Sequence, residues 1–285
     1  MTVNQKYASV LTNILRFDNL VTTRNSKTYM NPFLDNIVFD EFPLVTVRKT
    51  AWKSALSEME WFLSGISNCP ENLLKWWDTQ LNFDNELVNG YGSQLRYSTF
   101  LDVDKDKQKM NFFDQIKYIL DGLKNHPHSR RLLTTTWNTG EMATITKAND
   151  NPNSPSCCHG TITQFFVVNG YLHMKTYNRS SDTIIGLPHN WVQYWALLKY
   201  FAYHSDLKVG NLIWMFGDAH VYAEESHIQA ATEIILNSDV EYDIDLEYNY
   251  SGDIDEFETP KFLASDFRII GEIPNPIVTV KPKLL

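Results

Sequence analysis

The stretch PSCCHG (residues 155–160) opens the most informative part of this sequence, which continues through NRSSD (178–182) and GLPHN (186–190) to GDAHVY (217–222). These motifs combine a candidate thiol nucleophile, an arginine beside serines and an acid, an amide at a helix start and a His-x-Tyr pair. A set of nucleophile, cation and hydrogen-bonding groups is typical of one active site. The arginine indicates that its ligand is polar and phosphorylated.

The segments between these motifs predict strands and one long helix. Two apolar runs, 165–168 and 171–174, are separated by Asn169-Gly170, which predicts a β-hairpin with a two-residue turn. A helix is predicted from Pro188, because the apolar residues that follow share one helical face. Residues 212–216 predict a short buried strand that leads into a loop or helix start at 217–222.

The N-terminal half adds an amphipathic helix that carries an acid. Apolar side chains recur at three- and four-residue spacing over residues 50–64, and Glu58 lies at the margin of that face. A half-buried carboxylate has a raised pKa and can act as an acid or base near neutral pH. The alternative role for Glu58 is that of an edge glutamate whose carboxylate reaches water.

Arginines and charged segments give weaker signals. Arg24 lies in a polar stretch that predicts a loop, where a solvated arginine is the common case. Arg130 and Arg131 enter a strand predicted at 132–137, so their side chains should point to opposite faces and would not normally serve one site within a subunit. The remaining predictions are a charged loop at 101–109 and a second amphipathic helix at 112–123.

The composition restricts the class of protein. The 285 residues carry a formal net charge of -9, which argues against broad non-specific nucleic-acid binding, because that activity needs a surplus of Lys and Arg. Three cysteines, two of them adjacent, cannot form a disulfide framework, and no spacing indicates zinc or another metal site. We also find no signal-peptide pattern and no apolar run long enough for a bilayer, so we expect an intracellular protein without a membrane segment.

Cys158 is the candidate nucleophile, since only a thiolate attacks and a nearby cation lowers the pKa of a thiol. A cysteine considered alone is more often buried and inert. A papain-like protease would also need histidine and asparagine in their own local signatures, which this sequence lacks. The motifs downstream of Cys158 therefore decide its interpretation.

Taken in order, the motifs resemble those of the thymidylate synthase family and its pyrimidine nucleotide hydroxymethylase relatives. The resemblance covers nearly the whole chain, and several of the motifs are highly specific. The matching pieces are FPLVT (42–46), Glu58 with WFLSG (61–65), Trp77-Asp78, Tyr91-Gly92, Ser129-Arg130-Arg131, Cys158-His159 ahead of QFFV (164–167), YNRSSD (177–182), GLPHN (186–190) and GDAHVY (217–222).

The resemblance implies four catalytic residues. Cys158 would add to C6 of dUMP, which makes C5 nucleophilic toward the methylene group of 5,10-methylenetetrahydrofolate. Arg179 would favour the thiolate and bind the nucleotide phosphate. Glu58 would donate and accept protons at O4 through water, and Tyr91 would help to remove the C5 proton.

The same resemblance implies the phosphate site and the assembly. Arg24 and Ser180 would join Arg179 on the phosphate, and Arg130 and Arg131 would arrive from the other subunit of a homodimer. The implied fold is α+β, one catalytic domain over residues 1–285 with a large mixed sheet covered by helices, and two subunits packed sheet to sheet. The expected location is the cytoplasm, or the host cytoplasm if the protein is viral.

Base, sugar and folate contacts are implied as well. Asn190 would read uracil, because a carboxamide can donate to O4 and accept from N3–H, whereas an aspartate would suit cytosine better. His220 and Tyr222 would hold the ribose hydroxyl. The residues implied to contact the folate are Trp77, Asp182 and Gly186.

Departures from the family pattern keep a second product open. Five residues separate Cys158 from Gln164, one more than the family usually has, so we expect a bulge, and Cys157 stays an alternative nucleophile. His189 replaces the usual phenylalanine, Gln80 lies where a second tryptophan is common, and the C-terminus lacks the usual small residues. Water that reached the intermediate would give a hydroxymethyl group instead of a methyl group.

We favour the methyl product, because Trp77, Tyr91 and Asn190 are all present. The runner-up is a dUMP hydroxymethylase. A catalytically silent relative that binds nucleotide or RNA is disfavoured by the complete set of reactive side chains and by the acidic balance.

Overall fold

The computed structural model describes residues 1–23, 26–104, 107–139, 157–252 and 258–281, so Arg24 lies outside the described residues. The helices are α1 (Val3–Phe17), α2 (Trp52–Ser64), α3 (Leu74–Trp77), α4 (Tyr91–Tyr97), α5 (Gln115–Asn125), α6 (Gly186–His204) and α7 (Glu225–Leu236). The strands are β1 (Leu20–Thr22), β2 (Lys27–Asn31), β3 (Ile37–Phe39), β4 (Ser98–Asp104), β5 (Lys107–Phe113), β6 (Leu133–Thr135), β7 (Ile162–Val168), β8 (Tyr171–Asp182), β9 (Lys208–Tyr222), β10 (Asp245–Tyr248) and β11 (Phe267–Ile270).

A mixed sheet forms the centre of the fold. Its strands run in the order β1-β2-β9-β8-β7-β6, with β3 also paired to β9. Strands β8 and β9 are parallel, whereas the other neighbours are antiparallel. This arrangement confirms the predicted α+β class with a mixed sheet and helices.

The hairpin predicted at Asn169-Gly170 is present. Val168 pairs with Tyr171, and the two turn residues have φ angles of 53° and 79°. Positive φ at both central positions is the type I′ geometry, whose twist matches that of the flanking strands and which suits Asn-Gly. This turn fixes the register of β7 against β8, and β8 carries Arg179 toward the site.

Helix α6 is buried over most of its length between the sheet and α2. Trp191, fully buried, lies edge-on to Tyr7 at 5.8 Å and to Phe39 at 4.8 Å between ring centroids. Such edge-to-face contacts favour one packing arrangement over others. The core therefore fixes the first turn of α6, where the GLPHN motif lies.

Three local predictions were wrong. The charged residues 101–104 and 107–109 do not form a loop but belong to the paired strands β4 and β5, and helix α5 begins only at Gln115, after the N-cap Asp114. The motif at 217–222 continues β9 instead of forming a loop, because β8 pairs with it on one side and β2 on the other.

One face of the sheet exposes apolar side chains, and we call it the outer face. Ile162 pairs with Tyr177, and Phe166 follows four residues after Ile162, so alternation along the strands places these side chains on one side. They are 48%, 37% and 38% exposed, respectively. Leu133, opposite Gln164, extends the outer face to β6.

Within the described ranges, no helix is both long enough and apolar enough to cross a membrane.

Candidate active site

Cys158 lies in a turn that α4 and β8 hold from two sides. Its backbone N–H donates to the phenol oxygen of Tyr91 at 2.7 Å, and its carbonyl accepts from the backbone N–H of Ser180 at 3.1 Å. The Cys158 side chain is half-buried, whereas Cys157 is buried and only 3% exposed. Of these two cysteines, Cys158 is therefore the accessible one.

The extra residue after Cys158 is accommodated before the strand, not within it. Gly160 has a φ of 57°, and a Cβ atom there would lie 1.7 Å from the phenol oxygen of Tyr194. Glycine is thus required both by the left-handed backbone and by the close approach of Tyr194. From Ile162 onward β7 pairs with β8 without interruption, so the irregularity predicted between Cys158 and Gln164 lies at this turn.

Arg179 places a cation beside the thiol. Its Nη2 lies 3.4 Å from the Cys158 sulfur, and its guanidinium lies 5.3 Å from the centre of the Trp137 ring. Burial raises the pKa of Cys158 above its ordinary value, and Arg179 opposes that shift. Arg179 therefore acts on the Cys158 pKa in the expected direction, but the effect of burial is larger.

Glu58 is the centre of a short hydrogen-bonded chain. Its Oε1 accepts from the indole N–H of Trp77 at 2.5 Å, and its Oε2 accepts from the Gln193 amide at 2.5 Å. Gln193 in turn accepts from the side-chain amide of Asn190 at 3.0 Å. Burial raises the pKa of Glu58, and these two hydrogen bonds partly offset it. Gln193, which the sequence does not single out, thus links Asn190 to Glu58 and Trp77.

A cluster of aromatic rings connects Trp77, the donor to Glu58, with the Cys158 turn. Tyr91 stacks between Phe62, at 4.3 Å, and His159, at 4.6 Å. Trp77 lies edge-on to Phe62 at 5.7 Å. Burial and the neighbouring Cys158 raise the pKa of Tyr91 well above its ordinary value, so the phenol is neutral at physiological pH.

The ends of β8 and β9 bring further polar residues beside this region. Asp182 is opposite His220 in the parallel register, and the Nδ1 atom of His220 lies 3.2 Å from Asp218. Burial lowers the pKa of His220, but hydrogen bonding to Asp218 and its charge outweigh burial, so the net pKa is raised. Tyr222 lies edge-on to His220 at 5.1 Å, and burial raises the pKa of Tyr222 to about 12.

Asp182 also organises the start of α6. Its Oδ1 accepts from the backbone N–H groups of Ile184 at 3.0 Å and Ile185 at 3.1 Å, just before Gly186 begins the helix. An acidic side chain that binds backbone N–H groups stabilises such a turn. The NRSSD and GLPHN motifs are therefore linked structurally as well as in sequence.

Arg130 and Arg131 lie apart from these contacts. Both residues are exposed in a turn that leads into β6, which begins at Leu133, so they precede the strand and the alternation of strand side chains does not apply to them. Their carbonyls accept from the Gln164 amide and the Tyr118 hydroxyl, each at 3.2 Å, and the Arg131 N–H donates to Ser129 Oγ at 3.3 Å. Two exposed, adjacent cations next to the outer face are available to an anion or to a second subunit.

His189 does not open the site to water. Its Nδ1–H donates to the Ile185 carbonyl at 2.6 Å, and its Nε2 accepts from the Ala51 N–H at 3.0 Å. The buried ring also lies edge-on to Trp76 at 5.0 Å. Both ring nitrogens are engaged, so His189 ties the start of α2 to the first turn of α6 as a neutral imidazole.

Replacement of His189 by phenylalanine should make stability less dependent on pH. Burial lowers the pKa of His189 to about 4, from an ordinary value of 6.5, so the unfolded chain binds a proton that the folded chain excludes between these values. Stability from this group is therefore lost as the pH falls through that window, by about 2 kcal/mol at a pH of about 5. At pH of about 7.5 the variant should be about 1–3 kcal/mol less stable, because Ala51 loses its acceptor, and this deficit should shrink on acidification.

Urea unfolding of the wild type and the His189→Phe variant at both pH values measures the effect. The exposed His128 provides the control, since His128→Phe should keep the wild-type pH dependence. A deficit that stays constant between the two pH values would show that His189 is not the buried neutral group described.

Sequence reasoning missed several residues of this region. Gln193 carries no motif, and only its helical spacing of three from Asn190 gives a signal. Trp137 was assigned to a strand, although its ring lies beside Arg179. Asp218 belongs to a recognised motif, but its contact with His220 requires the strand geometry of β9.

In the part of the chain that the structure describes, no group of three or more His, Cys, Asp or Glu residues is placed to hold a metal ion.

Comparison with known proteins gives a consistent result. The thymidylate synthase family model matches residues 5–281. A thymidylate synthase of Corynebacterium aurimucosum is 34% identical over 243 residues, which cover 84% of this chain and 81% of that protein. A thymidylate synthase of Buchnera aphidicola subsp. Acyrthosiphon pisum is 34% identical over 239 residues, 81% of this chain and 83% of that protein. The chain belongs to the thymidylate synthase family.

Proposed function

We propose that this protein transfers a one-carbon unit from 5,10-methylenetetrahydrofolate to C5 of dUMP and releases dTMP and dihydrofolate. The observation that carries the proposal is the accessible Cys158 thiol with the Arg179 guanidinium 3.4 Å away, beside the chain from Trp77 through Glu58 to Asn190. The relatives that match most of its length are named for this activity. We further propose that residues 1–285 act as one catalytic domain, in the cytoplasm or in host cytoplasm.

Cys158 supplies the nucleophile in this proposal. The thiolate sulfur bonds to C6 of the uracil, and the electron pair of the C5–C6 double bond moves toward C5 and O4. C5 then bonds to the methylene carbon of the folate as the bond from that carbon to one folate nitrogen breaks. Loss of the C5 proton releases the second folate nitrogen, and hydride from the folate then reduces the methylene group while the sulfur–C6 bond breaks and frees Cys158. Arg179 stabilises the thiolate and shares the phosphate with Ser180 and Arg24. Because burial raises the pKa of Cys158, the thiol is mostly protonated near neutral pH, and its proton must pass to solvent before the sulfur attacks C6.

Glu58, Asn190 and Tyr91 bind the uracil ring and transfer its protons. Asn190 accepts from N3–H and donates to O4, while Glu58 exchanges protons with O4 through water. A pKa raised by burial suits Glu58 to that exchange near neutral pH. Tyr91, neutral and held against the Cys158 backbone, assists removal of the C5 proton.

The remaining proposed contacts concern the sugar and the folate. His220 and Tyr222, adjacent at the end of β9, hold the ribose hydroxyl. Trp77 offers an apolar ring beside Glu58 for the folate, and Asp182 and Gly186 approach the folate from the start of α6. Exclusion of water from this region directs the exocyclic methylene intermediate to hydride transfer instead of hydration.

We propose a homodimer packed through the outer face. Leu133, Ile162, Phe166 and Tyr177 would otherwise leave a contiguous apolar surface in water. Arg130 and Arg131 border this surface, so a twofold axis through it could deliver them to the phosphate site of the other subunit.

Identification of the product nucleotide by mass spectrometry tests the proposal. Purified protein, dUMP and methylenetetrahydrofolate should yield dTMP with an equal amount of dihydrofolate. Hydroxymethyl-dUMP with tetrahydrofolate would instead establish a hydroxymethylase. Failure to release tritium from C5 of labelled dUMP under any folate condition would leave a catalytically silent nucleotide-binding protein.

A further inference from the structure

We propose that Gln193 is a positioning residue that relays the hydrogen-bond polarity of Glu58 to Asn190, and that this relay makes the site select uracil over cytosine. This inference rests on the proposed function, because it assigns the source of base specificity in the same site. We call Trp77, Glu58, Gln193 and Asn190 the amide relay.

The polarity of the amide relay is fixed at its first step. The indole of Trp77 can only donate, so Glu58 Oε1 must accept in that 2.5 Å contact. The other oxygen, Oε2, lies 2.5 Å from the Gln193 amide. If Glu58 is ionised it has no proton to give, so Gln193 must turn its NH2 group toward the carboxylate.

The second step follows from the first. With its NH2 group on Glu58, Gln193 presents Oε1 to Asn190 and accepts there at 3.0 Å. Asn190 must therefore use one Nδ2 hydrogen for Gln193, which leaves its second Nδ2 hydrogen and its Oδ1 for a ligand. The opposite amide orientation would set two oxygens against each other, which costs the hydrogen bond and adds repulsion.

This orientation of Asn190 matches uracil and opposes cytosine. Uracil offers a donor at N3 and an acceptor at O4, which pair with Oδ1 and the free Nδ2 hydrogen. Cytosine offers an acceptor at N3 and a donor at N4, so it needs the amide turned over. A lone asparagine could turn over at little cost, but one held by Gln193 cannot without breaking the relay.

The relay also predicts how its polarity can be reversed. In Glu58→Gln, the oxygen of the new amide would still accept from Trp77, so its NH2 group would face Gln193. Gln193 would then turn its oxygen toward residue 58 and its NH2 group toward Asn190. Asn190 would accept from Gln193 and present its NH2 group to the base, which is the orientation that suits cytosine.

Equilibrium binding of dUMP and dCMP to the purified protein tests the relay without requiring catalysis. The wild type should bind dUMP more tightly than dCMP. Gln193→Met keeps the size of the side chain and removes its amide. It should lower the ratio of dUMP affinity to dCMP affinity by about tenfold. Glu58→Gln should lower it further, toward dCMP, and should have no additional effect in the Gln193→Met background.

The buried Gln115 provides a matched control. It bonds Gln94 and Thr135 in another part of the fold, so Gln115→Met should lower stability without changing the binding ratio. Glu58→Gln replaces one atom by another of similar size, so it tests the relay even if Gln193→Met folds poorly.

The outcomes separate the two proposals. An unchanged ratio in Gln193→Met, or a Glu58→Gln shift that persists in the double variant, would overturn the relay. Tight dUMP binding without dTMP formation would overturn the proposed reaction and leave the relay standing if the ratios behave as expected. Absence of dUMP binding by the wild type would overturn both.

Discussion

Cys158→Ala should abolish dTMP formation and the release of tritium from C5 of dUMP, each by roughly 10⁴-fold or more, because the covalent bond to C6 cannot form without the thiol. The alanine side chain is smaller, so the turn held by Tyr91 and Ser180 should persist, since both contacts are to the backbone of residue 158. Binding of dUMP should therefore survive the substitution. Steady-state turnover, tritium release and nucleotide binding measure these three effects separately.

Cys157→Ala is the matched control for that experiment. Cys157 is buried and lies one residue from the proposed nucleophile, so its truncation should remove packing but no chemistry. We expect about 1 kcal/mol or somewhat more of lost stability and turnover within a few-fold of the wild type. The reverse result, an active Cys158→Ala and an inactive Cys157→Ala, would transfer the nucleophile role to Cys157.

Local sequence signals were sufficient to predict the hairpin and the helix that lie nearest Cys158. Asn169-Gly170 determines a turn through its own backbone preference, and the apolar positions after Pro188 determine α6 through helical periodicity. Both signals act over a few residues and need no tertiary partner. That is why the hairpin and the helix could be predicted from one sequence.

Other elements depend on partners that are distant in sequence. Gly217 suggested a turn, yet it lies within β9, where a Cβ atom would approach the Arg179 carbonyl to 2.8 Å and the Tyr177 hydroxyl to 2.7 Å. Its glycine serves close packing between strands, which a sequence does not distinguish from a turn. The β4–β5 pairing was missed for a related reason, because its register joins two segments whose local composition is that of a charged loop.

The candidate site likewise combines motifs that can be recognised locally with contacts that depend on distant residues. Its motifs could be recognised in order, but the link from Glu58 to Gln193 joins residues 135 positions apart. Glutamine is an ordinary helix former, so no local property singles it out. Whether a polar residue such as His189 admits water or excludes it likewise depends on partners, here Ile185 and Ala51, that only the fold supplies.

The double variant Arg130→Ala/Arg131→Ala should raise the KM for dUMP by roughly 100-fold or more, because in the proposed dimer each arginine contributes a charge-assisted hydrogen bond to the phosphate. Folding stability should change little, since both side chains are exposed. The effect should appear in dUMP binding more than in turnover at saturation. Steady-state kinetics with varied dUMP measure this division.

Mixing the double variant with Cys158→Ala, at a dUMP concentration far below the raised KM, then tests whether these arginines act across the dimer. Refolding the double variant with Cys158→Ala should form heterodimers in which one site takes its thiol from one chain and its arginines from the other. Half of the dimers in an equal mixture are mixed and each has one intact site, so we expect about a quarter of the wild-type activity. If the arginines served their own subunit, both sites of every mixed dimer would be defective and no activity would return. Glu58→Gln mixed with Cys158→Ala is the control, because Glu58 and Cys158 belong to one subunit's site and that mixture should stay at the level of its parents.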